Sequence, residues 1–163
     1  MLLLLKNLLF TVFVPGTVAV VIPYRIASRT GPGLVLEGAR PLSAAPLFLL
    51  GAAIYFWCLW DFAVTGRGTP APIDPPKHLI VRGLYRRVRN PTYLGVWLVV
   101  AGWAVVSRSA SVVEYGLGIA IVAHLFVVLV EEPLLRRRFG AAYEAYCRAV
   151  HRWLPGRAYP PAA

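Results

Sequence analysis

Long blocks of apolar residues with almost no charge restrict the possible folds of this chain more than any other feature. Four such blocks run from about Leu2 to Ile22, Leu42 to Phe62, Tyr93 to Val106 and Val112 to Val130. A soluble domain interrupts its apolar residues at helical or strand spacing, whereas unbroken blocks of this kind are typical of membrane-spanning helices. We therefore expect an all-α fold, a polytopic membrane helical bundle of about four spans.

The third and fourth blocks differ in length, and the chain can turn between them. At a rise of about 1.5 Å per residue the third block reaches only about 20 Å, which is less than the ~30 Å hydrocarbon core of a bilayer. The fourth block is nearly long enough to span it, and Ser107-Arg108-Ser109 separates the two. This pattern predicts a short–long helical hairpin that brings its two outer ends to one side of the membrane.

The basic residues predict the orientation of the bundle. The chain has 163 residues, with 17 Lys and Arg against 7 Asp and Glu. Twelve of the 17 lie in residues 63–92 and after Pro133, which two spans separate. The positive-inside rule assigns both segments, and with them both termini, to the cytoplasm. Because these residues flank apolar blocks, we expect them to contact anionic lipid headgroups and not nucleic acid.

One domain is expected, covering residues 1–155, with a mobile tail at 156–163. Phe139, Tyr143, Tyr146 and Val150 recur at helical spacing, so we predict one amphipathic helix from Leu134 to Leu154. The segment 66–76 is rich in Pro and Gly, which excludes a regular helix. It is either a flexible linker or a stiff strap across a ligand.

Signatures of soluble enzymes and of metal sites are absent from the sequence. There is no GxSxG, HExxH or P-loop pattern, and no two histidines stand at ligand spacing. Cys58 and Cys147 have neither CxxC spacing nor a histidine partner pattern. We expect no metal site and interpret both cysteines as small apolar residues.

Two polar clusters flank the predicted hairpin and are the candidates for chemistry. In the first, Pro91 suits the first turn of the third span, and Arg89 beside that helix start is suited to a carboxylate or phosphate. In the second, the adjacent carboxylates of Glu131 and Glu132 are costly at a membrane boundary. They could pair with Arg136 or Arg138 at helix spacing, or with Arg89 across the bundle. Two carboxylates also suit a ligand with several donors or a positive charge.

Four motifs stand in and around these clusters: Gly83-x-Tyr85, Arg89-Asn90-Pro91-x-Tyr93-x-Gly95, Glu131-Glu132-x-x-Leu135 and Phe139-Gly140-x-x-Tyr143-x-x-Tyr146-x-x-x-Val150. Taken together, they resemble the motifs of the integral-membrane methyltransferases, namely the isoprenylcysteine carboxyl methyltransferases and the phospholipid (phosphatidylethanolamine) N-methyltransferases. The resemblance covers about residues 66–155. Asn90 and the Glu-Glu-Pro sequence are similar to the phospholipid enzymes, while the tyrosines of the C-terminal helix are similar to the prenylcysteine enzymes.

The resemblance implies S-adenosylmethionine as methyl donor, bound on the cytoplasmic side, and a lipophilic acceptor reached from the bilayer. The acceptor is a phospholipid amine or a prenylcysteine-like carboxylate or thiol. It implies that Arg89, Glu131 and Glu132 serve catalysis, and that one of the two glutamates accepts a proton if the acceptor is an ammonium. The cofactor-binding residues it implies are His78, Leu79, Gly83, Tyr85, Asn90, Tyr93, Gly95, Glu131, Glu132 and Tyr143.

Two other functions stay open at this stage. An NADPH-dependent membrane reductase of related architecture would need a larger cofactor pocket and more chain than four spans provide. A non-enzymatic membrane scaffold protein would keep the fold, bind no cofactor and tolerate substitution of Glu131.

Overall fold

The computed structural model describes residues 9–30, 39–66 and 77–160 of the chain, and within these ranges it is helical without a strand. A short 3₁₀ helix, Gly83–Arg86, precedes the hairpin. The predicted helical bundle is confirmed. Its helices are α1 (Leu9–Thr30), α2 (Ala39–Asp61), α3 (Pro91–Ser107), α4 (Ala110–Phe139) and α5 (Ala141–Ala149).

In the part of the chain that the structure describes, three helices are long and apolar enough to cross a membrane, and their outer faces are apolar. They are α1, α2 with its continuation to Thr65, and the 30-residue α4. Leu117, Ile121 and Leu129 on α4 are more than half exposed, as lipid-facing side chains would be. Only 17 residues long, α3 is the short arm of the predicted short–long hairpin.

The hairpin turns at the predicted serine–arginine–serine sequence. Arg108 ends α3 in the left-handed conformation, with φ at 49°. The hydroxyl of Ser107 accepts a hydrogen bond from the backbone N–H of Ser109 at 3.3 Å. Thr30 at the end of α1 contacts the same turn through the hydroxyl of Ser109, at 2.8 Å. This end of the bundle is therefore closed by polar contacts among α1, α3 and α4.

The closest helix pair is α2 and α3, which cross at two glycines. A Cβ atom on Gly51 would lie 2.7 Å from the carbonyl oxygen of Gly95, and one on Gly95 would lie 2.8 Å from that of Gly51. Atoms do not approach so closely without displacement, so only glycine fits at both positions. Small residues are a common means of close helix packing in membranes. This crossing fixes the start of α3 against α2.

An irregular turn in α1 follows from a proline within the span. Pro23 has no N–H, so it cannot donate a hydrogen bond to the carbonyl one turn earlier. That carbonyl belongs to Ala19 in an α-helix and to Val18 in a π-helix. The chain is π-helical over Thr17–Val21. Other helices supply the donors: Tyr115 of α4 donates to the carbonyl of Val18 at 2.7 Å, and Trp103 of α3 donates to that of Ala19 at 3.0 Å.

The C-terminal part departs from the single helix predicted for Leu134 to Leu154, and that prediction is wrong. Gly140, with φ at 52°, separates α4 from α5 because a left-handed residue does not continue a helix. The predicted apolar face survives the break. Tyr143, Tyr146 and Val150 are buried together, and Phe139 packs against them.

The described part of the tail forms backbone hydrogen bonds with the segment before α3, and the mobility expected for residues 156–163 stays a prediction. The N–H of Gly156 donates to the carbonyl of Arg87 at 2.9 Å, and that of Tyr159 donates to the carbonyl of Arg86 at 2.8 Å. Residues 161–163 and most of the Pro-rich segment, 67–76, lie outside the described residues. Both hypotheses for that segment therefore stay predictions.

The glycine crossing predicts a large difference between two Gly→Val substitutions. Gly51→Val should lower the free energy of unfolding by about 1–3 kcal/mol, because the new side chain pushes α2 from α3. Gly118→Val is the matched control, since Gly118 lies in a helix and a Cβ there meets open space. Thermal unfolding in detergent measures both; equal losses would contradict the packing role of Gly51.

Candidate functional site

The hairpin brings the two predicted polar clusters to the same cavity, which has a volume of about 430 Å³. Arg89 and Asn90 line it from the start of α3, and Glu131 and Glu132 line it from α4. The opposite walls are apolar and aromatic. They are formed by residues that include Phe62, Leu79, Phe126, Leu135 and Phe139 and by the tyrosines Tyr85, Tyr143 and Tyr146. A mostly apolar cavity with a few converging polar groups is typical of a small-molecule site.

The carboxylate of Glu132 is the anchor of the polar wall. It is only 3% exposed and accepts two hydrogen bonds from the guanidinium of Arg152, at 2.7 and 3.0 Å. Arg89 lies 3.2 Å from it and Arg136 lies 3.9 Å from it. A buried carboxylate is stable only with such compensation. The hydrogen bonds to Glu132 in turn raise the pKa of Arg152.

Glu131 has a different environment although it is the next residue. Its Oε2 accepts a hydrogen bond from the hydroxyl of Tyr93 at 3.0 Å, and within the described ranges no cationic side chain lies within ion-pair distance of it. Successive helical residues point about 100° apart, which separates the two carboxylates. Glu131 therefore remains available to a ligand, whereas Glu132 is engaged by arginines.

The segment after α5 is attached to the residues that precede α3. The N–H of Arg89 donates to the carbonyl of His151 at 2.9 Å. The side-chain amide of Asn90 donates to the carbonyl of Arg152 at 3.2 Å. Asn90 precedes α3 and Pro91 occupies its first turn as predicted, but the Asn90 side chain does not cap the helix. It holds the C-terminal segment against the start of α3 instead.

Three tyrosines form the aromatic wall, and burial keeps their hydroxyls protonated. Burial raises the pKa of Tyr85, of Tyr143 and of Tyr146 above the ordinary range for a phenol. The Tyr146 hydroxyl donates to the carbonyl of Tyr85 at 2.6 Å, and the Tyr85 hydroxyl is 2.6 Å from that of Thr92. These groups are neutral at physiological pH and suit an aromatic or sulfonium partner better than proton abstraction.

Arg89 holds the one buried side-chain nitrogen of the cavity wall that lacks a partner in the described part of the chain. Its Nη1 lies 3.2 Å from Glu132 and donates to the Sγ of Cys147 at 2.6 Å, while its Nε has no hydrogen-bond partner. A buried N–H without an acceptor is unfavourable by about 1–3 kcal/mol. A ligand carboxylate or hydroxyl in the cavity would satisfy it.

Several residues implied by the family resemblance lie away from the cavity wall. His78 is exposed at the surface. Gly83 lines a second cavity, beside Asp61. Gly95 is at the crossing of α2 and α3, where it is required by packing. Tyr93 contacts the cavity indirectly, through its hydrogen bond to Glu131.

Sequence reasoning missed Arg152 as the principal partner of Glu132. The position of Arg152 in the sequence does not indicate this pairing, because the two residues are 20 positions apart with a helix break between them. The only available signal was the need of a boundary carboxylate for a cation. The neighbouring Trp153 was missed as well; it donates to the Nδ1 of His124 at 3.0 Å and packs at a tilt against Trp97, with ring centres 4.8 Å apart.

A family model matches most of the region just described. The model for "Phospholipid methyltransferase" matches residues 39–142, which is more than half of the chain. The matched range contains α2, the hairpin and both polar clusters, and it ends before Tyr143 and Arg152. No curated protein and no solved structure matches the chain.

The bidentate pair of Arg152 and Glu132 predicts that one substitution loosens the C-terminal segment. Arg152→Gln should lower the free energy of unfolding by about 1.5–3 kcal/mol, because a charged hydrogen-bonding partner of a buried carboxylate is lost. Residues 150–160 should then exchange amide hydrogens faster. Arg157→Gln is the control, since Arg157 is exposed. Unchanged exchange in Arg152→Gln would refute the anchoring role.

Proposed function

The chain belongs to the phospholipid methyltransferase family and is therefore an integral membrane methyltransferase, and from this premise we propose that its donor is S-adenosylmethionine and its acceptor a membrane lipid. The cavity lined by Arg89 and Glu131 would hold the donor. One observation carries the proposal: both polar clusters line the same cavity, and the buried Nε of Arg89 in its wall lacks a partner among the described residues.

The groups in the cavity match the parts of this donor. The free Nε of Arg89 suits its carboxylate, since guanidinium–carboxylate hydrogen bonds are strong and directional. The carboxylate of Glu131 suits its amine or its ribose hydroxyls. The faces of Tyr85, Tyr143 and Tyr146 offer contacts to the adenine ring and to a positive sulfur.

When bound, S-adenosylmethionine supplies a methyl group on a sulfonium, which is already activated for in-line displacement. The protein then has to align donor and acceptor and exclude water, and such alignment can contribute roughly 7–11 kcal/mol to lowering the barrier. The rigid attachment of Arg89 and Asn90 to the C-terminal segment suits this task, because it fixes the polar wall against the aromatic wall.

Proton handling depends on the acceptor. A phospholipid amine is an ammonium at neutral pH and must lose a proton before it attacks. Glu131 is the candidate base, because it has no cationic partner in the described ranges, whereas Glu132 is neutralised by Arg152 and Arg89. Arg89 would position the donor and Glu132 would hold Arg89. A prenylcysteine carboxylate would need no base, so Glu131 would be dispensable for it.

The cavity lies at one end of the spanning helices, and the predicted cytoplasmic orientation would place it where a water-soluble donor arrives. Phe62, which directly follows α2, and Phe126, which lies within α4, line its wall. A lipid acceptor would approach from the bilayer between spans. The positive-inside argument for the segments around Arg86 and Arg137 supports this orientation.

Donor binding is the first test. S-adenosylhomocysteine should raise the unfolding temperature of the purified protein, and NADPH should not. Arg89→Ala should weaken S-adenosylhomocysteine binding about tenfold or more, because a charged hydrogen bond is lost. Arg148→Ala is the matched control, since Arg148 is an exposed arginine of α5. Stabilisation by NADPH alone would favour the reductase, and stabilisation by neither would favour the scaffold protein.

Methyl transfer is the second test. Label from S-adenosylmethionine should enter phosphatidylethanolamine in vesicles and should not enter a farnesylcysteine analogue. Glu131→Gln should lower kcat, measured at saturating donor, by about 10²–10⁴-fold, because a general base is lost. Glu144→Gln, on the exposed side of α5, is the control. Label in the farnesylcysteine analogue instead would assign the other acceptor class.

A further inference from the structure

A second cavity of about 460 Å³ lies beside the first, with its own set of residues. Trp57, Trp60 and Asp61 line it from the end of α2, and Arg82 and Gly83 line it from the loop before α3. Neither the methyl-donor proposal nor the glycine crossing uses these side chains. Neighbouring residues line the two cavities, since Phe62 and Tyr85 line the first while Asp61 and Gly83 line the second.

The carboxylate of Asp61 is buried and incompletely paired. Asp61 is 1% exposed, and among the described residues its Oδ2 has no hydrogen-bond partner. Within the same residues its Oδ1 has one ionic contact, to the Nε of Arg82 at 3.7 Å, and the Arg82 side chain is 58% exposed. A long contact to a largely solvated guanidinium compensates little of the loss of hydration. A cation in the cavity would supply the missing compensation for the negative charge of Asp61.

The aromatic residues of this cavity favour an organic cation over a metal ion. Trp57 and Trp60 are 56% and 62% exposed, although they are large apolar side chains. Indole faces attract ammonium groups and the methylene groups beside them. Among the described residues no cluster of three potential metal ligands occurs, and the cavity combines the carboxylate of Asp61 with two indole rings and the largely solvated guanidinium of Arg82.

Gly83 leaves space beside the Asp61 carboxylate. A Cβ atom there would lie 2.6 Å from the Oδ2 of Asp61 and 2.8 Å from the Nε1 of Trp57. Gly83 also has a positive φ, at 53°, which favours glycine. Any side chain at this position would fill the space in front of the unpartnered oxygen. The glycine that the resemblance implied for the donor site thus opens the second cavity instead.

We propose that this cavity binds the ammonium headgroup of a membrane lipid, with the ammonium on Oδ2 of Asp61 and its methylene groups against Trp57 and Trp60. The two tryptophans lie at the end of a membrane-spanning helix, the position at which indole rings meet lipid headgroups. Ammonium headgroups are the organic cations present at that level. The proposal does not rest on methyl transfer, because it concerns lipid binding without a donor.

Calorimetry with short-chain lipids below their critical micelle concentration tests the site directly. The probes are dihexanoyl phosphatidylethanolamine, its N-acetylated form, which lacks the positive charge, and dihexanoyl phosphatidylglycerol. The first should bind the detergent-solubilised protein at least tenfold more tightly than the other two, because only it places a charge on the buried carboxylate. Equal affinity for the three lipids would overturn the proposal.

Two variants locate the binding. Asp61→Asn should weaken binding of the ethanolamine lipid at least tenfold, and Trp60→Leu should weaken it about threefold or more. The matched controls are Glu114→Gln, an exposed acid near the hairpin turn, and Phe56→Leu, an exposed aromatic residue of α2 that does not line the cavity. Both controls should bind as the unmodified chain does.

Folding and donor binding are followed in the same samples. Asp61→Asn should unfold at the same temperature as the unmodified chain or higher, because an incompletely paired buried charge is removed. If it does not fold, Trp60→Leu carries the test. Wild-type affinity for the ethanolamine lipid in whichever variants fold would overturn the proposal. S-adenosylhomocysteine binding is expected to persist in both variants, so failure of the lipid site is distinguishable from failure of the donor site.

Discussion

The buried carboxylate of Glu132 holds together parts of the chain that are far apart in sequence. Arg89 reaches it from the residues before α3, Arg136 from the next turn of α4 and Arg152 from beyond α5. Because such a carboxylate is unfavourable without cations, its burial draws all three segments to one point. The cavity exists because these segments, once joined there, leave space between a polar wall and an aromatic wall.

The two adjacent glutamates are not duplicates of each other. Glu132 has a structural role, because arginines engage both of its carboxylate oxygens and it positions Arg89. Glu131 faces the hydroxyl of Tyr93 and keeps capacity to accept further hydrogen bonds. One residue of helical rotation is enough to separate a group that organises the site from a group that can react in it.

Much of the fold was predictable from the sequence, because apolar blocks and turn residues act locally. The spans, the turn at Arg108 and the place of Pro91 all follow from residues close in the chain. The convergence of the two polar clusters followed from the hairpin. The ion-pair partner of Glu132 was not predictable in the same way, because tertiary contact decides it. The chain has 17 basic residues, and nothing in the sequence near Arg152 distinguished it as this partner.

The glycines show the same limit. The sequence does not distinguish a glycine that leaves space for a ligand from one that leaves space for a neighbouring helix. The family resemblance implies a ligand role for Gly95, which packs against α2, and the helical spacing predicts a helix through Gly140, which ends one. Gly83 lines the second cavity. Only the positions of the surrounding elements decide among these roles.

The irregular turn of α1 has a consequence for the order in which the bundle is assembled in a bilayer. A carbonyl without a donor is expensive in hydrocarbon, and the donors for Val18 and Ala19 are Tyr115 and Trp103. Both are synthesised some 80 or more residues later, as their separations of 97 and 84 residues state. Although α1 leaves the ribosome early, the hydrogen bonds of its backbone are thus completed last. Until the hairpin is synthesised, water or another protein has to donate to these two carbonyls.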